Sequence, residues 1–230
     1  MTYFSFLLLF LLPVLGVTFF FFLKTRDESK FRIKGMVILV FIAVFYTTPW
    51  DSFIIKNGIW FYDQNKIIGT ILRIPIEEYL FMIIQTLIAS MLYCINQKNL
   101  KTIYFSFSSK YLFLFVIIFL GGFQMIKIEN LKYFGYLITW ASVPLAIQWI
   151  VGSKQLINSI KYWALPFFLF SIYLSLIDCI AIKNNIWTIA QETSCGLLVF
   201  GLPVEEIVFF LATNLLVFQG MALWDILKHD

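Results

Sequence analysis

The sequence predicts an all-α integral membrane protein, a seven-helix bundle built from a tandem parallel repeat. Three observations predict it. Hydrophobic residues make up 61% of the chain and charged residues 13%, against roughly 45–50% and about 25% in soluble domains. Apolar runs long enough to be spanning helices recur along the 230 residues. One phrase also occurs twice, since residues 51–60 and 178–187 both fit Asp-x-x-x-Ile-Lys-Asn-x-Ile-Trp.

The apolar runs predict seven membrane spans, because a helix needs about 20 mainly apolar residues to cross a bilayer. The first run lacks the basic start and the small-residue cleavage site of a signal peptide, so we interpret it as a span. The predicted spans are 3–23, 35–50, 75–95, 111–126, 132–151, 162–182 and 203–223.

The repeat extends to a second phrase, Pro-x-Glu-Glu, at residues 75–78 and 203–206. The first phrase recurs after 127 residues (51 to 178) and the second after 128 (75 to 203). This near-constant shift indicates a duplicated unit, and it superimposes the first three spans on the last three. We therefore predict a half-repeat of three spans at 1–110, a connector span at 111–127 and a second half-repeat at 128–230.

A single connector span makes the two half-repeats parallel. The fifth span then starts on the same side as the first, and an axis along the membrane normal relates the halves. Both copies of the two phrases should lie on one side of the membrane, where their acidic side chains can converge. An inverted repeat would separate them.

The distribution of Lys and Arg predicts the orientation. Eleven basic residues fall on one predicted side and six on the other. The N-terminus should therefore lie outside and the C-terminus in the cytoplasm, in the cell (inner) membrane. The eleven are Lys24, Arg26, Lys30, Arg32, Lys34, Lys98, Lys101, Lys110, Lys154, Lys161 and Lys228.

Several functional classes are not indicated. The chain contains neither GxGxxG nor GxxxxGK[ST], so no dinucleotide or P-loop site is expected. The basic residues form no run, so no nucleic-acid partner is expected. Cys94, Cys179 and Cys195 lack metal-site spacing, and His229 is the only histidine. We expect no metal and no cofactor.

Each Glu-Glu pair opens an apolar span, and the pairs have two interpretations. They can be ordinary first-turn acids that complement the helix dipole, with Pro75 and Pro203 at the first helical position. Alternatively, one glutamate of each pair faces the bundle interior, because neighbouring helical residues point about 100° apart. A carboxyl group in an apolar cavity can stay protonated and act as a general acid, although the helix N-terminus opposes this. The candidates are Glu77, Glu78, Glu205 and Glu206.

Two aspartates and two asparagines form a second set of candidates. Asp51 and Asp178 end the predicted second and sixth spans, and ionisable residues beside apolar helices point to function. Asn57 and Asn184 lie six residues further on. They can bind a substrate or simply cap the helix and form the following turn.

Trp60 and Trp187 close the repeated phrase. They can be interface aromatics or can stabilise a carbocation by a cation–π interaction. Both interpretations stay open from the residues alone.

The motifs resemble the membrane-embedded lycopene cyclase domain, which occurs in two-subunit cyclases of actinobacteria and in fused forms in archaea, other bacteria and fungi. The resemblance covers nearly the whole chain as two half-units fused in tandem. One departure is Thr188-Ile189 where the first copy has Phe61-Tyr62. The matching residues are Gly58-Ile59-Trp60, Tyr62, Ile68-Gly69, Pro75-Ile76-Glu77-Glu78 and Phe81, then Trp187, Gly201-Leu202-Pro203-Val204-Glu205-Glu206 and Phe209-Phe210.

This resemblance implies an intramolecular lyase (isomerase) that converts the linear ends of lycopene to β-rings without a flavin. It implies a linear carotene and the lipid bilayer as partners, and leaves open a homo-oligomer or an association with other carotenoid enzymes. The acidic candidates would be catalytic. The substrate would be bound by Trp60, Trp187, Tyr62, Asn57, Asn184, Pro75 and Pro203.

Two rival functions remain. A small transporter or proton-relay protein also carries ionisable residues within its spans, but it would leave a co-expressed carotene unchanged. A carotenoid-binding scaffold would retain pigment without altering it.

Overall fold

The computed structural model describes residues 1–25, 29–97 and 105–228, with only the backbone of Ser29 and Lys228. Four residues used in the charge and metal arguments lie outside these ranges: Arg26, Lys98, Lys101 and His229.

The described chain is mainly α-helical. The first helical segment runs over Tyr3–Leu23 and contains a π-helical turn, Leu7–Leu11, between α1 and α2. Short 3₁₀ turns precede α6 and follow α7. The helices are α1 Tyr3–Phe6, α2 Leu12–Leu23, α3 Ser29–Lys56, α4 Ile76–Asn96, α5 Ser109–Met125, α6 Lys132–Lys183 and α7 Val204–Trp224.

Six short strands lie in the two loops that carry the repeated phrases. They form three antiparallel pairs: β1 with β4, β2 with β3, and β5 with β6. The strands are β1 Trp60–Tyr62, β2 Thr70–Ile71, β3 Ile74–Pro75, β4 Trp187–Ile189, β5 Leu198–Val199 and β6 Leu202–Pro203.

Several helices are suited to a membrane, as the sequence predicted. Five segments are long and apolar enough to cross one, and α5 is apolar but shorter. The described ranges thus contain six apolar helical segments where seven spans were predicted. The difference arises because the fifth and sixth predicted spans both lie within α6. The five segments are Tyr3–Leu23, Lys30–Lys56, Ile76–Asn96, Glu129–Lys183 and Val204–Leu227.

Helix α6 changes direction at Gly152, whose φ of −141° and ψ of 19° are not helical. Both sides of this point contact the C-terminal part of α7: Gln148 donates to the Leu216 carbonyl at 2.9 Å, and Gln155 donates to the Ala222 carbonyl at 3.4 Å. A Cβ atom on Gly152 would lie 2.0 Å from Leu223 Cδ2. A larger residue here would require the Leu223 side chain to move.

The two limbs of α6 also reach the opposite end of α7. Tyr133, at the start of α6, donates a hydrogen bond to Glu206. Asp178, near the end of α6, lies close enough for its charge to interact with Glu206. Midway along α7, Asn214 donates to Ser171 Oγ at 3.0 Å. Both limbs therefore run along α7, in opposite directions.

The paired strands β1 and β4, here called the ribbon, bring the two copies of the first phrase together. Phe61 pairs with Thr188, its own equivalent under the 127-residue shift (61 to 188). The flanking pairs are Trp60 with Ile189 and Tyr62 with Trp187. Equivalent residues thus meet across a local twofold axis at the centre of the ribbon.

Apolar side chains divide into a core and an outer surface. The core includes fully buried Phe6, Leu137 and Phe218. Phe45 and Phe41 project outward from α3, with 84% and 72% exposure. Large exposed apolar surfaces mark contact with a membrane or a partner, so these helices present an outer face suited to lipid.

Candidate active site

The first glutamate of each pair holds the loop that precedes its helix. Glu77 Oε1 accepts the backbone N–H of Ile68 at 2.8 Å. Glu205 Oε1 accepts the backbone N–H of Cys195 at 2.7 Å and the hydroxyl of Ser194 at 3.0 Å. Both glutamates are fully buried. Ile68 and Cys195 are equivalent under the 127-residue shift (68 to 195), so the same contact is made twice.

The second glutamate of each pair faces the interior. Glu78 Oε2 accepts hydrogen bonds from the hydroxyls of Tyr3, at 2.7 Å, and Tyr62, at 3.0 Å. Glu206 Oε1 accepts from the hydroxyl of Tyr133. Glu78 and Glu206 line the same cavity of about 20 Å³. This geometry matches the interpretation in which one glutamate faces the interior while its neighbour finds a polar partner.

Asp51 and Asp178 join these glutamates. Both are 1% exposed and lie in the last turns of α3 and α6, which continue past them to Lys56 and Lys183. Asp178 Oδ1 accepts from the indole N–H of Trp187 at 2.8 Å. One oxygen of each aspartate, Asp51 Oδ1 and Asp178 Oδ2, has no hydrogen-bond partner within the described ranges. The two aspartates differ because the indole N–H of Trp60, the equivalent of Trp187, has no partner there.

The four interior carboxyl groups have no cation paired with them in the described part of the chain. The ion pairs found there join Lys66 to Asp63 and Lys132 to Glu129. Asp51 and Asp178 each interact electrostatically with Glu78 and Glu206. Burying several charges without a partner is costly, so the cluster favours a state in which the carboxyl groups share protons.

Tyr62 lies in the ribbon, outside the spanning helices. Burial raises the pKa of its phenol well above the ordinary value, and the negative charge of Glu78 raises it further. Tyr62 therefore stays protonated and acts as a hydrogen-bond donor to Glu78. Its equivalent in the second half is Ile189, which cannot donate in this way.

Each tryptophan of the repeated phrase contacts the tyrosine of the other half. The Trp60 ring lies 6.0 Å from Tyr133, and the Trp187 ring lies 4.9 Å from Tyr3. Trp60 also lies edge-on to Trp50 at 5.5 Å. Aromatic faces therefore surround the carboxyl cluster in both halves.

A second cavity, of about 270 Å³, opens from the first half of this cluster. Asp51 and Glu78 line its end, and most of its wall is apolar. Glu78, Phe81 and Phe209 line both cavities, so the two adjoin. The arrangement can bring an apolar chain against buried acid groups.

The remaining predicted substrate-binding residues lie elsewhere. Asn57 donates to the Phe53 carbonyl and Asn184 to the Ile180 carbonyl, each at 2.8 Å. These bonds cap the C-terminal turns of α3 and α6, which fits the capping interpretation. Neither asparagine lines either cavity just described.

Pro75 and Pro203 are also not where the sequence predicted. Each has extended backbone angles, ends a strand and immediately precedes its helix, so neither occupies the first helical position. Proline φ is fixed near −65°, which suits an extended residue as well as a helical one. Neither proline lines the two cavities. Pro203 lines a third cavity, of about 500 Å³, among the loops of the second half, and substrate binding by the two prolines stays a prediction.

The sequence interpretation missed Tyr3 and Tyr133, and also the cavity aromatic Trp140 and Trp50, which stacks against it. A signal for the tyrosines was present. Residues 3–7 read YFSFL and residues 133–137 read YFGYL, a shift of 130 (3 to 133). The repeat therefore extends to the beginning of the first and fifth predicted spans.

No group of three or more His, Cys, Asp or Glu side chains arranged for a metal ion occurs among the residues with described positions.

Comparison with known proteins identifies the family. The family model described as lycopene cyclase matches residues 1–95 and 130–224. A lycopene beta-cyclase of Halobacterium salinarum is 36% identical over 203 residues, covering 86% of this chain and 85% of the relative. No solved structure matches the chain.

Fungal relatives are longer. A bifunctional lycopene cyclase/phytoene synthase of Gibberella fujikuroi is 34% identical over 210 residues, covering 86% of this chain and 36% of the relative. A protein of the same description from Sporisorium reilianum is 33% identical over 246 residues, covering 98% of this chain and 35% of the relative. On the extent of these matches, the chain belongs to the lycopene cyclase family.

Proposed function

We propose that this protein is a lycopene cyclase of carotenoid biosynthesis that closes β-rings at the linear ends of lycopene. The observation that carries the proposal is the cluster of buried carboxyl groups at the end of an apolar cavity, where Asp51 and Glu78 line the wall. A bilayer-dissolved hydrocarbon suits a protein whose long helices are apolar.

The chemistry needs an acid, a base and a dry cavity. A carboxylic acid protonates the terminal double bond of the polyene and leaves a tertiary cation. An internal double bond attacks this cation, and the new carbon–carbon bond closes a six-membered ring. A carboxylate then removes a proton and restores a double bond within the ring. Substrate and product are isomers, so no oxidant or reductant is consumed.

We assign the acid and the base to the interior carboxyl groups, with Glu78 and Glu206 as the leading pair. Both contact tyrosine hydroxyls and line one small cavity. A buried cluster without a paired cation favours retaining a proton. After each turnover the base holds a proton that the acid has lost, and transfer between neighbouring carboxyl groups resets the site.

Aromatic rings would stabilise the intermediate cation. The stacked rings of Trp50 and Trp140 lie 4.8 Å apart, and Trp60 lies edge-on to Phe209 at 5.6 Å. A cation over an aromatic face gains about 2 kcal/mol or more when desolvated. The cluster thus supplies negative charge and aromatic faces around one apolar space.

Glu77 and Glu205 would position the site rather than transfer protons. Their hydrogen bonds to the backbone at Ile68 and Cys195 fix the loops that lead into α4 and α7. These loops precede Glu78 and Glu206 directly, so they help to set where each interior carboxyl group points.

The same proposal includes an architecture of three, one and three spans. The limbs of α6 on either side of Gly152 would be the fifth and sixth spans. The opposite directions in which they pass α7 support this division, as do the two matched segments, 1–95 and 130–224. The basic residues favour an outer N-terminus.

Expression in lycopene-accumulating cells, followed by chromatography of the pigments, tests the function. We expect monocyclic and bicyclic carotenes to appear. Purified protein in liposomes should perform the same conversion without added flavin or nicotinamide. Retained but unaltered pigment would instead indicate a binding scaffold, and unchanged, unbound lycopene would favour the transporter.

A further inference from the structure

The two halves of the protein are related by the repeat, yet the spaces beside their carboxyl groups differ. In each half a tyrosine bridges two helices in the same way: Tyr46 donates to the Trp140 carbonyl at 2.8 Å, and Tyr173 donates to the Phe10 carbonyl at 2.6 Å. Tyr46 and Tyr173 are equivalent under the 127-residue shift (46 to 173). The common bridge makes the two sides directly comparable.

On the first side, the cavity of about 270 Å³ lies between α3, α4, α7 and the first limb of α6. We call this space the first cleft. It runs from Leu39 to Asp51 along α3, about 18 Å at 1.5 Å per residue. This is a little over half of the hydrocarbon thickness of a bilayer, about 30 Å. The first cleft therefore fits one end of a long linear hydrocarbon.

The first cleft opens sideways on the outer surface of the bundle. Ile42 on α3 and Val143 and Ile147 on α6 line it. They are 56%, 44% and 58% exposed, respectively. The mouth therefore lies between α3 and the first limb of α6, on the surface suited to lipid. The unbound remainder of a long substrate can stay in the bilayer.

On the second side, larger side chains stand at equivalent positions. Phe170 replaces Ala43, and Leu174 replaces Thr47 (43 to 170, 47 to 174). Phe170 is 4% exposed and Leu174 is fully buried, and Phe170 stacks against Tyr173. On the neighbouring helix Phe210 replaces Met82 (82 to 210). The second side is therefore packed with its own side chains where the first cleft has space.

The equivalent aspartates of the two halves also have different surroundings. Asp51 lines the first cleft and is 1% exposed, and its Oδ1 has no hydrogen-bond partner in the described structure. Asp178 Oδ2 also has no partner there, but Asp178 Oδ1 accepts the indole N–H of Trp187, and Asp178 does not line the first cleft. A buried polar atom without a partner is costly and needs an explanation. A carboxyl oxygen left available beside an open apolar cleft is suited to a reacting ligand.

From these differences we infer that the first cleft alone receives a carotene end, which enters sideways from the bilayer between α3 and the first limb of α6. The second half supplies Glu206 and Phe209 to this single site, and its own side chains fill the positions equivalent to the first cleft. A separate cavity of about 500 Å³ lies among the loops of the second half, and none of the four interior carboxyl groups lines it. The two ends of lycopene are then cyclised in separate binding events. The monocyclic carotene leaves, turns end for end and binds again. This inference rests on the proposed cyclase function.

The inference is tested by replacing a residue of the first cleft with the larger residue found at the equivalent position of the second half. Ala43→Phe installs the second-half side chain in the first cleft. We expect bound lycopene and ring formation to fall about tenfold or more, because the added ring would occupy space in the first cleft that the bound hydrocarbon needs, and fitting both would strain the site by more than the free energy of a tenfold change in binding. Leu169→Phe adds bulk at a lipid-facing position, where Leu169 is 60% exposed, and should leave both measurements at the wild-type level.

Thr47→Leu provides a second variant, because it also copies the residue found in the second half and adds less bulk than Ala43→Phe. All variants are compared at equal amounts of monodisperse protein from size-exclusion chromatography. Lycopene binding is measured in detergent by the absorbance of co-purified pigment, and ring formation in liposomes by chromatography. Wild-type binding and turnover in both Ala43→Phe and Thr47→Leu would overturn the assignment of the first cleft.

A dilution experiment tests the separate binding events. Liposomes receive isotopically labelled lycopene and an excess of unlabelled monocyclic carotene. We expect the label in the bicyclic product to be diluted, because the labelled monocyclic carotene mixes with the pool. Undiluted label would overturn the single-cleft cycle. Absence of any ring formation by the wild-type protein would instead contradict the proposed function, so the two failures are distinguishable.

Discussion

Exchanging Glu for Gln at the two positions of each pair separates proton transfer from loop positioning. Glutamine keeps the size of the side chain and an oxygen that accepts hydrogen bonds, but it cannot donate a proton as an acid. In Glu78→Gln the amide oxygen can still accept from Tyr3 and Tyr62. The free energy of unfolding should therefore change by only about 1 kcal/mol, the usual scale for one altered hydrogen bond.

The catalytic effect should be much larger. Positioned general acids and bases contribute about 10²- to 10⁴-fold to a rate, so Glu78→Gln and Glu206→Gln should each lower ring formation by about 100-fold or more. Glu77→Gln and Glu205→Gln are the matched controls. Their amide oxygens can still accept the N–H groups of Ile68 and Cys195, so activity should stay within about threefold of wild type.

The assay is the initial rate of ring formation in liposomes at equal protein, with monodispersity checked beforehand. The reasoning would be refuted if the Glu77 and Glu205 variants lost activity while the Glu78 and Glu206 variants kept it. If all four variants cyclise lycopene normally, the glutamates only complement the helix starts. Asp51 and Asp178 would then become the leading acid and base.

Three further predictions follow from particular contacts. Tyr3→Phe and Tyr133→Phe each remove one hydrogen bond to an interior glutamate. Each should destabilise the protein by about 1–3 kcal/mol and shift the pH profile of ring formation, whereas a purely structural role would leave that profile unchanged. Gly152→Val should lower the thermal unfolding midpoint and the yield of monodisperse protein, because a Cβ atom would collide with Leu223. The control is Gly16→Ala, where nothing lies within 4 Å of the added atom. Single cysteines at Thr25 and Asn65 in a cysteine-free variant should label from opposite sides of the membrane, and labelling from one side would contradict the proposed span arrangement.

Much of the helical architecture could be predicted because its signals are local. Apolar runs and repeated phrases specify where long helices lie and which positions are equivalent. The division of α6 was harder to assess. The polar segment 152–161 separates the two predicted spans in the sequence, but apart from Gly152 it is helical in the structure and joins them within α6. The packing of Gly152 depends on Leu223, which is distant in sequence.

The candidate site was likewise only partly predictable from the sequence. Glu-Glu pairs and aspartates stand out because charge is rare in an apolar chain. Which glutamate of each pair faces inward depends on tertiary partners such as Tyr3, 75 residues away from Glu78. Similarly, the asparagines could be read either as ligands or as caps until their bonds to Phe53 and Ile180 were known.

The ribbon has a consequence for the accuracy of the reaction. It carries Tyr62 and Trp187 as a cross-strand pair, and both side chains line the small cavity beside Glu78 and Glu206. A carbocation formed below this cover would be captured by any water molecule that reached it, giving a tertiary alcohol instead of a ring alkene. Closing an active site excludes such side reactions. A substitution that loosens the ribbon should therefore alter the products more than the rate at which substrate is consumed. Hydroxylated carotenes among the products would show that water reaches the site.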